Sequence, residues 1–300
     1  MGIRTTLAVI ALVVAIPVFA ADPIELPAFI ALPRPQPTLQ LNYGSAPSQA
    51  IDVFLPAESG QHPVAILIHG GCWSNRTAGR EQLRHLGAEL ARQGIAVWSI
   101  GYRRADEPGG GYPGTYQDVG DAIDRLRSEA SQYDLDVART VLVGHSAGGH
   151  LALWAAARDY LPAGSQLYRA APFVPAAVVS LAGIGDLKAY APLVPLFCGS
   201  GILEHLMGEP SSGSRDAYAD ISPARLPAPQ GHVVMISGIL DKLVPPYVAY
   251  TYAREMRDKR KAPVELVDIP KAGHFDLVTP GTPAWGEVNR YIAAELGLGP

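Results

Sequence analysis

Apolar positions change their spacing along this chain at well-marked places. From residue 64 onward, short runs of β-branched and aliphatic residues alternate with longer stretches in which apolar residues recur every three or four positions. The first kind has the length and composition of strands buried on both faces, and the second has the period of a helix with one buried side. Strands are therefore expected at 64–69, 95–100, 140–143, 176–181, 232–237 and 264–269. Helices are expected at 79–93, 115–131, directly after Ser146, 245–260 and 284–296. In the first of these, Leu83, Leu86, Leu90 and Ala91 share a face and Gly94 is placed to end it; in the second, Val119, Ile123 and Leu126 face inward. Such alternation predicts an α/β fold with a mostly parallel central sheet flanked by helices. Residues 38–43 and 49–55, on either side of Gly44-Ser45-Ala46-Pro47, read as an antiparallel pair at the sheet edge.

Two stretches break the rhythm. Pro23, Pro27, Pro33, Pro35 and Pro37 make 21–37 an arm that should run extended over the surface and form no helix. Residues 188–230 are rich in Pro, Gly and Ser, with a short apolar segment at 202–207, and read as a lid-like insertion within a domain covering 38–300. Residues 1–20 have a different character. Arg4 gives a positive start, 7–19 an apolar core interrupted by Pro17, and Val18-Phe19-Ala20 a small-residue cleavage pattern. This segment is expected to be a signal peptide cleaved after Ala20, which makes the mature protein exported, periplasmic or secreted, with no stable membrane anchor.

Composition narrows the class further. Three hundred residues, 48% hydrophobic, can bury one sizeable core, and a formal charge of −4 supplies no basic field for nucleic acid or anionic lipid. Cys72 and Cys198 are too few for a disulfide scaffold and lack zinc-site spacing. An oxidising compartment permits one bridge between them, and sequence alone leaves that pairing open.

The chemistry centres on Thr140-Val-Leu-Val-Gly144-His145-Ser146-Ala147-Gly148-Gly149. A strand enters a Gly-x-Ser-x-Gly turn and an alanine-rich helix leaves it, the layout that projects one serine hydroxyl from a tight turn. A hydroxyl is a poor nucleophile without a base and a group to orient that base. His274, in Gly273-His274-Phe275 after the last strand, is the candidate base. Asp241, in the loop after the strand at 232–237, is the favoured orienting acid, and Asp186 is its rival. The order Ser146, Asp241, His274 goes with this type of turn. His69-Gly70-Gly71-Cys72-Trp73, after the strand at 64–69, could aim the backbone amides of Gly71 and Cys72, with that of Ala147, at a tetrahedral oxyanion. His145, next to the serine, is expected to point elsewhere from the turn, and His69 and His150 read as structural. Trp73, Tyr112, Leu196, Phe197 and Phe275 are candidate pocket residues.

Taken together, these motifs resemble the α/β-hydrolases of the esterase and lipase type, most closely the kynurenine formamidase-like branch and the related bacterial feruloyl-esterase-like enzymes. The likeness runs over about 41–296 and rests on His69-Gly-Gly-x-Trp73, Gly144-His-Ser-Ala-Gly-Gly149, the Asp241 loop and Gly273-His274-Phe275. The third oxyanion-motif position, glycine in hormone-sensitive-lipase-like relatives, is Cys72 here. The resemblance implies Ser146 as nucleophile, His274 as general base and then acid, Asp241 as its orienter, and the His69 loop as oxyanion hole. It implies a hydrolase of small-molecule carboxylic esters that needs neither metal nor organic cofactor, and the expected signal peptide makes it an exported one. An arylformamidase acting on N-formylkynurenine would use the same residues, although export counts against it. A non-catalytic binding protein on the same fold, or a peptidase or acyltransferase with the same triad, stands as a further alternative.

Overall fold

The apolar runs pair into a single sheet. In chain order its strands are β1 (Leu39–Asn42), β2 (Ala50–Phe54), β3 (His62–Ile68), β4 (Ala96–Ile100), β5 (Leu135–His145), β6 (Ala177–Leu181), β7 (His232–Gly238) and β8 (Glu265–Ile269). Their spatial order is β1-β2-β4-β3-β5-β6-β7-β8. β1 with β2 and β2 with β4 run antiparallel, and all the remaining pairs are parallel. The computed structural model describes residues 22–77, 79–208, 216 and 218–299, so the expected signal peptide and residues 209–215 and 217 of the expected insertion lie outside the described residues.

The helices are α1 (Leu26–Ile30), α2 (Arg84–Arg92), α3 (Gly114–Glu129), α4 (Ala147–Ala156), α5 (Leu187–Tyr190), α6 (Val194–Phe197), α7 (Ile202–Met207), α8 (Tyr247–Glu255) and α9 (Trp285–Glu295). They cover a sheet whose central strands are buried on both faces, which is why those strands read as unbroken apolar runs rather than alternating ones. Among the described residues no helix is long and apolar enough to cross a membrane.

Local sequence accounts for most boundaries. α2 follows a 3-10 turn at Arg80–Leu83 and closes on Gly94, whose φ is +84°. The Ile95 amide donates to Leu90 O and the Gly94 amide to Ala91 O, both at 3.1 Å, satisfying two terminal carbonyls of the helix. β5 begins earlier than the run at 140–143 suggests, because Leu135 and Asp136 pair with His62 and Pro63 before the register shifts between Pro63 and Val64. Proline has no amide to continue the ladder, so the shift falls where pairing is weakest.

One expectation does not hold. The arm is not extended throughout, because residues 26–30 form α1, with Pro27 in its first turn. Proline there sacrifices no helical hydrogen bond, and five residues without another proline leave room for one turn before Pro33.

A buried ionic cluster fastens the antiparallel edge to the helical layer. Asp52 of β2 is fully buried and accepts from Arg80 Nε at 2.9 Å, Arg84 Nε at 2.7 Å and Gln40 Nε2 at 2.8 Å. Burial alone would raise its pKa, but the hydrogen bonds from Arg84 and Gln40 and the charge of Arg80 outweigh burial and hold it below the usual carboxylate range. Replacing Asp52 by Ala removes the fully buried counter-charge shared by Arg80 and Arg84 and leaves Arg80 only the partly exposed Glu81 at 3.4 Å. Urea unfolding of Asp52→Ala is expected to show a loss of about 3–5 kcal/mol.

Candidate active site

The end of β5 and the start of α4 meet at one residue. Ser146 stands between them with φ +55° and ψ −120°, a backbone conformation that costs a non-glycine residue about 1–3 kcal/mol and persists only when its surroundings enforce it. They do so here: the Ser146 amide donates to Leu181 O at 2.9 Å and its carbonyl accepts from the His150 amide at 3.2 Å. The glycines on either side are required by close approach. A Cβ at Gly144 would lie 2.2 Å from Gly148 O, and one at Gly148 would lie 2.1 Å from Ile68 O.

The loop after β8 carries His274 back over this turn. Its Nδ1 donates to Asp241 Oδ2 at 2.7 Å, while the Asp241 Oδ1 accepts from the amides of Leu243 and Val244 at 2.8 and 2.9 Å. The carboxylate is thus held on both oxygens, and both side chains are buried. Asp186 takes no part: its Oδ1 accepts from the Ala189 amide at 3.0 Å and caps α5. Ser146 and His274 line one cavity of about 170 Å³ without a hydrogen bond between their side chains, a contact that in many hydrolases tightens only around substrate.

The loop after β3 packs against the same turn. A Cβ at Gly70 would come within 3.1 Å of Ser146 Cβ. Gly71, Cys72 and Trp73 then follow with φ of +100°, +57° and +51°. Two non-glycine residues in the left-handed region each cost roughly 1–2 kcal/mol, so this loop must be held from outside. Cys72 is bridged to Cys198, with Cα atoms 5.2 Å apart, so the pairing that sequence left open is formed. Trp73 is fully buried, edge-on to His150 at 5.4 Å, and its carbonyl accepts from the Ala105 amide at 2.7 Å. Gly71, Cys72 and Ala147 all line the cavity, and among the described residues their amides have no acceptor.

Three further histidines, His69, His145 and His150, are packed in the core, where burial disfavours their charged form. His145 Nε2 donates to the His274 carbonyl at 3.1 Å, and burial, reinforced by the neighbouring His274 charge, pushes its pKa well below the ordinary value. Burial likewise lowers His69 to about 3 and His150 to about 4. His69 Nδ1 donates to Gly70 O at 2.8 Å, with its ring stacked on Tyr102.

Of the expected pocket residues, Trp73, Phe197 and Phe275 line the cavity and Leu196 stands 72% exposed outside it. Tyr112 is also elsewhere. Its hydroxyl donates to Asp220 Oδ2 at 3.1 Å and its amide to His205 O at 3.0 Å, which turns the 101–114 loop toward α7 and away from Ser146. Sequence reasoning missed a whole wall: Leu26, Phe29 and Ile30 of α1 line the cavity. The signal was present, since positions 26, 29 and 30 have the i, i+3, i+4 spacing of a one-turn apolar face, but the prolines masked it. No Asp, Glu, Lys or Arg lines the cavity among the described residues, nor does any cluster of them with His or Cys have the arrangement of a metal site.

Residues 51–256 match the sequence pattern of the BD-FAE family. The chain belongs to the BD-FAE family. This BD-FAE protein is 28% identical over 224 residues to the probable carboxylic ester hydrolase LipM of Mycobacterium tuberculosis, a match covering 73% of this chain and 51% of LipM. It is 24% identical over 251 residues to the kynurenine formamidase of Salmo salar, covering 81% of this chain and 76% of that enzyme. The chain thus spans about half the length of LipM and most of the formamidase. Among solved structures, an inhibited esterase B from Lactobacillus rhamnosis superposes with a TM-score of 0.69 at 21% identity, covering 90% of this chain and 89% of that one. A truncated carbohydrate esterase from gut microbiota gives 0.67 at 22%, covering 87% and 98%. At such identities the likeness concerns the α/β-hydrolase fold.

Two measurements probe this site. The bridge spans 126 residues of sequence, so Cys198→Ser is expected to destabilise the protein by about 2–4 kcal/mol. Differential scanning calorimetry should show a melting temperature lower by roughly 5–15 °C. The buried histidines set the acid response. The folded pKa values of His69, His145 and His150 lie below the unfolded one, so the unfolded state binds more protons. Their contribution is present above about pH 6.5 and is lost as pH falls, each by up to about 2 kcal/mol at pH 5. Urea titrations at pH 7 and pH 5 should differ by several kcal/mol, the sum of these contributions.

Proposed function

We propose that this protein is an exported serine hydrolase that cleaves small carboxylic esters through an acyl-enzyme. The observation that carries the reading is the Asp241-bonded His274 on the same cavity as the strained Ser146, beside three backbone amides without acceptors. Ser146 Oγ attacks the ester carbonyl as His274 Nε2 takes its proton, and Asp241 stabilises the imidazolium through Nδ1–H. The C=O electron pair moves onto oxygen, where the amides of Gly71, Cys72 and Ala147 receive it; each such donor is worth about 3 kcal/mol of barrier. Collapse expels the alkoxide, protonated by His274, and leaves the acyl group on Ser146. Water, deprotonated by His274, then attacks the acyl carbonyl, and the acid departs as Ser146 regains its proton.

The family and the likeness to a probable carboxylic ester hydrolase support ester chemistry. The Cys72–Cys198 bridge, with the signal-like segment at 1–20, supports an oxidising, exported location. The cavity position of Tyr190, Phe197 and Cys198 supports reading 188–230 as a cover for the site. A formamidase reading has the match to the Salmo salar enzyme in its favour. Against it, no charged side chain among the described residues lines the cavity to meet the amino-acid end of a formylkynurenine.

Purified protein should hydrolyse p-nitrophenyl acetate and butyrate, and Ser146→Ala should lower kcat by a factor on the order of 10³ or more. Equal turnover by wild type and Ser146→Ala, or none by wild type, would sink the proposal. Faster cleavage of N-formylkynurenine than of any ester would favour the formamidase reading instead.

A further inference from the structure

We propose that α1 and α6 form a subsite for the alkyl chain of an uncharged ester, and that Leu26 and Ile30 set the chain length the enzyme prefers. The inference rests on the hydrolase reading and adds a substrate class to it.

α1 lies outside the family's matched span of 51–256, and it is mounted on the loop that carries His274. Phe29, 4% exposed, stacks on Phe275 with ring centroids 4.8 Å apart and planes 22° from parallel. The Ile24 amide donates to Asp276 Oδ1 at 3.3 Å, and Asp276 Oδ2 accepts from the Gly273 amide at 2.7 Å, so one carboxylate joins the arm to both sides of His274. Phe29 also meets His85 edge-on at 5.6 Å. This wall is therefore fixed rather than draped.

The other apolar residues of the same turn point to use. Leu26 and Ile30 line the cavity yet remain 41% and 45% exposed, and Phe197 of α6 lines it while 42% exposed. Burying these groups against the fold would have been favourable, at about 25 cal/mol per Å² of apolar surface, so their position at a mouth leaves that gain to a ligand. With no Asp, Glu, Lys or Arg in the lining among the described residues, an ionised substrate would lose hydration without such a partner, whereas an alkyl chain gains. A volume of about 170 Å³ is below the range of roughly 300–1,000 Å³ seen for drug-sized ligands, which favours short to medium chains.

The test is chain-length selectivity in Leu26→Ser/Ile30→Ser. Both positions are half exposed, so the variant keeps its core, which a thermal melt checks. kcat/KM is measured for p-nitrophenyl acetate and hexanoate and for ethyl and hexyl acetate, covering chains on either side of the ester. Wild type should prefer the longer chain in at least one series, and the double variant should lower that long-to-short ratio on the order of tenfold, mainly through KM. A structural role alone would lower both members of a pair together and leave the ratio unchanged. Turnover of all four esters with no change of ratio in either series overturns this inference alone. Absence of turnover by wild type overturns the hydrolase reading beneath it.

Discussion

How closely α4 can approach β3 and β5 decides whether there is a site at all. The tight turn at Ser146 forms only if the first turn of that helix lies directly under the end of β3, and the 2.1 Å between a hypothetical Gly148 Cβ and Ile68 O shows that no side chain fits between them. From this contact the rest follows. The helix can begin at Ala147 with its amide free, Ser146 is forced into its strained conformation, and the loop leaving β3 passes within van der Waals contact of the serine. The sheet on one side and the wholly buried helix on the other supply the rigidity that keeps the strain in place.

Strand runs and amphipathic helices were readable because burial on two faces and burial on one face leave different periods in a sequence. Every strand expected has its counterpart in the sheet, including the antiparallel edge, and the fold class follows. At the site, the Asp241 and Asp186 loops looked alike in sequence. What separates them is where each carboxylate goes, one to His274 and one to the first turn of α5, and no local pattern encodes that. Tyr112 illustrates the same limit: its destination depends on Asp220, more than a hundred residues away. α1 was obscured for a different reason, because a count of prolines measures what a segment cannot do on average and overlooks the one helical position where proline is tolerated.

Two segments outside the alternating strand–helix pattern shape the cavity. The arm brings α1 onto the His274 loop, and the insertion brings α6 and Cys198 onto the Cys72 loop. Each is fastened next to a group that the proposed chemistry uses. The family's matched span of 51–256 contains Ser146 and Asp241, while α1 and the His274 loop lie outside it.

The disulfide also divides the chain into a closed ring and an open tail. Residues 72 to 198 form the ring, which contains Ser146 and Ala147, while Asp241 and His274 lie on the tail beyond it. A backbone cut anywhere inside the ring leaves its two pieces covalently joined, with Ser146 still tethered to the Cys72 loop. A cut between 199 and 231 instead separates Ser146 from Asp241 and His274, leaving the two pieces joined through packing and the pairing of β6 with β7. The same protein would thus tolerate nicking on one side of Cys198 and risk dissociation on the other.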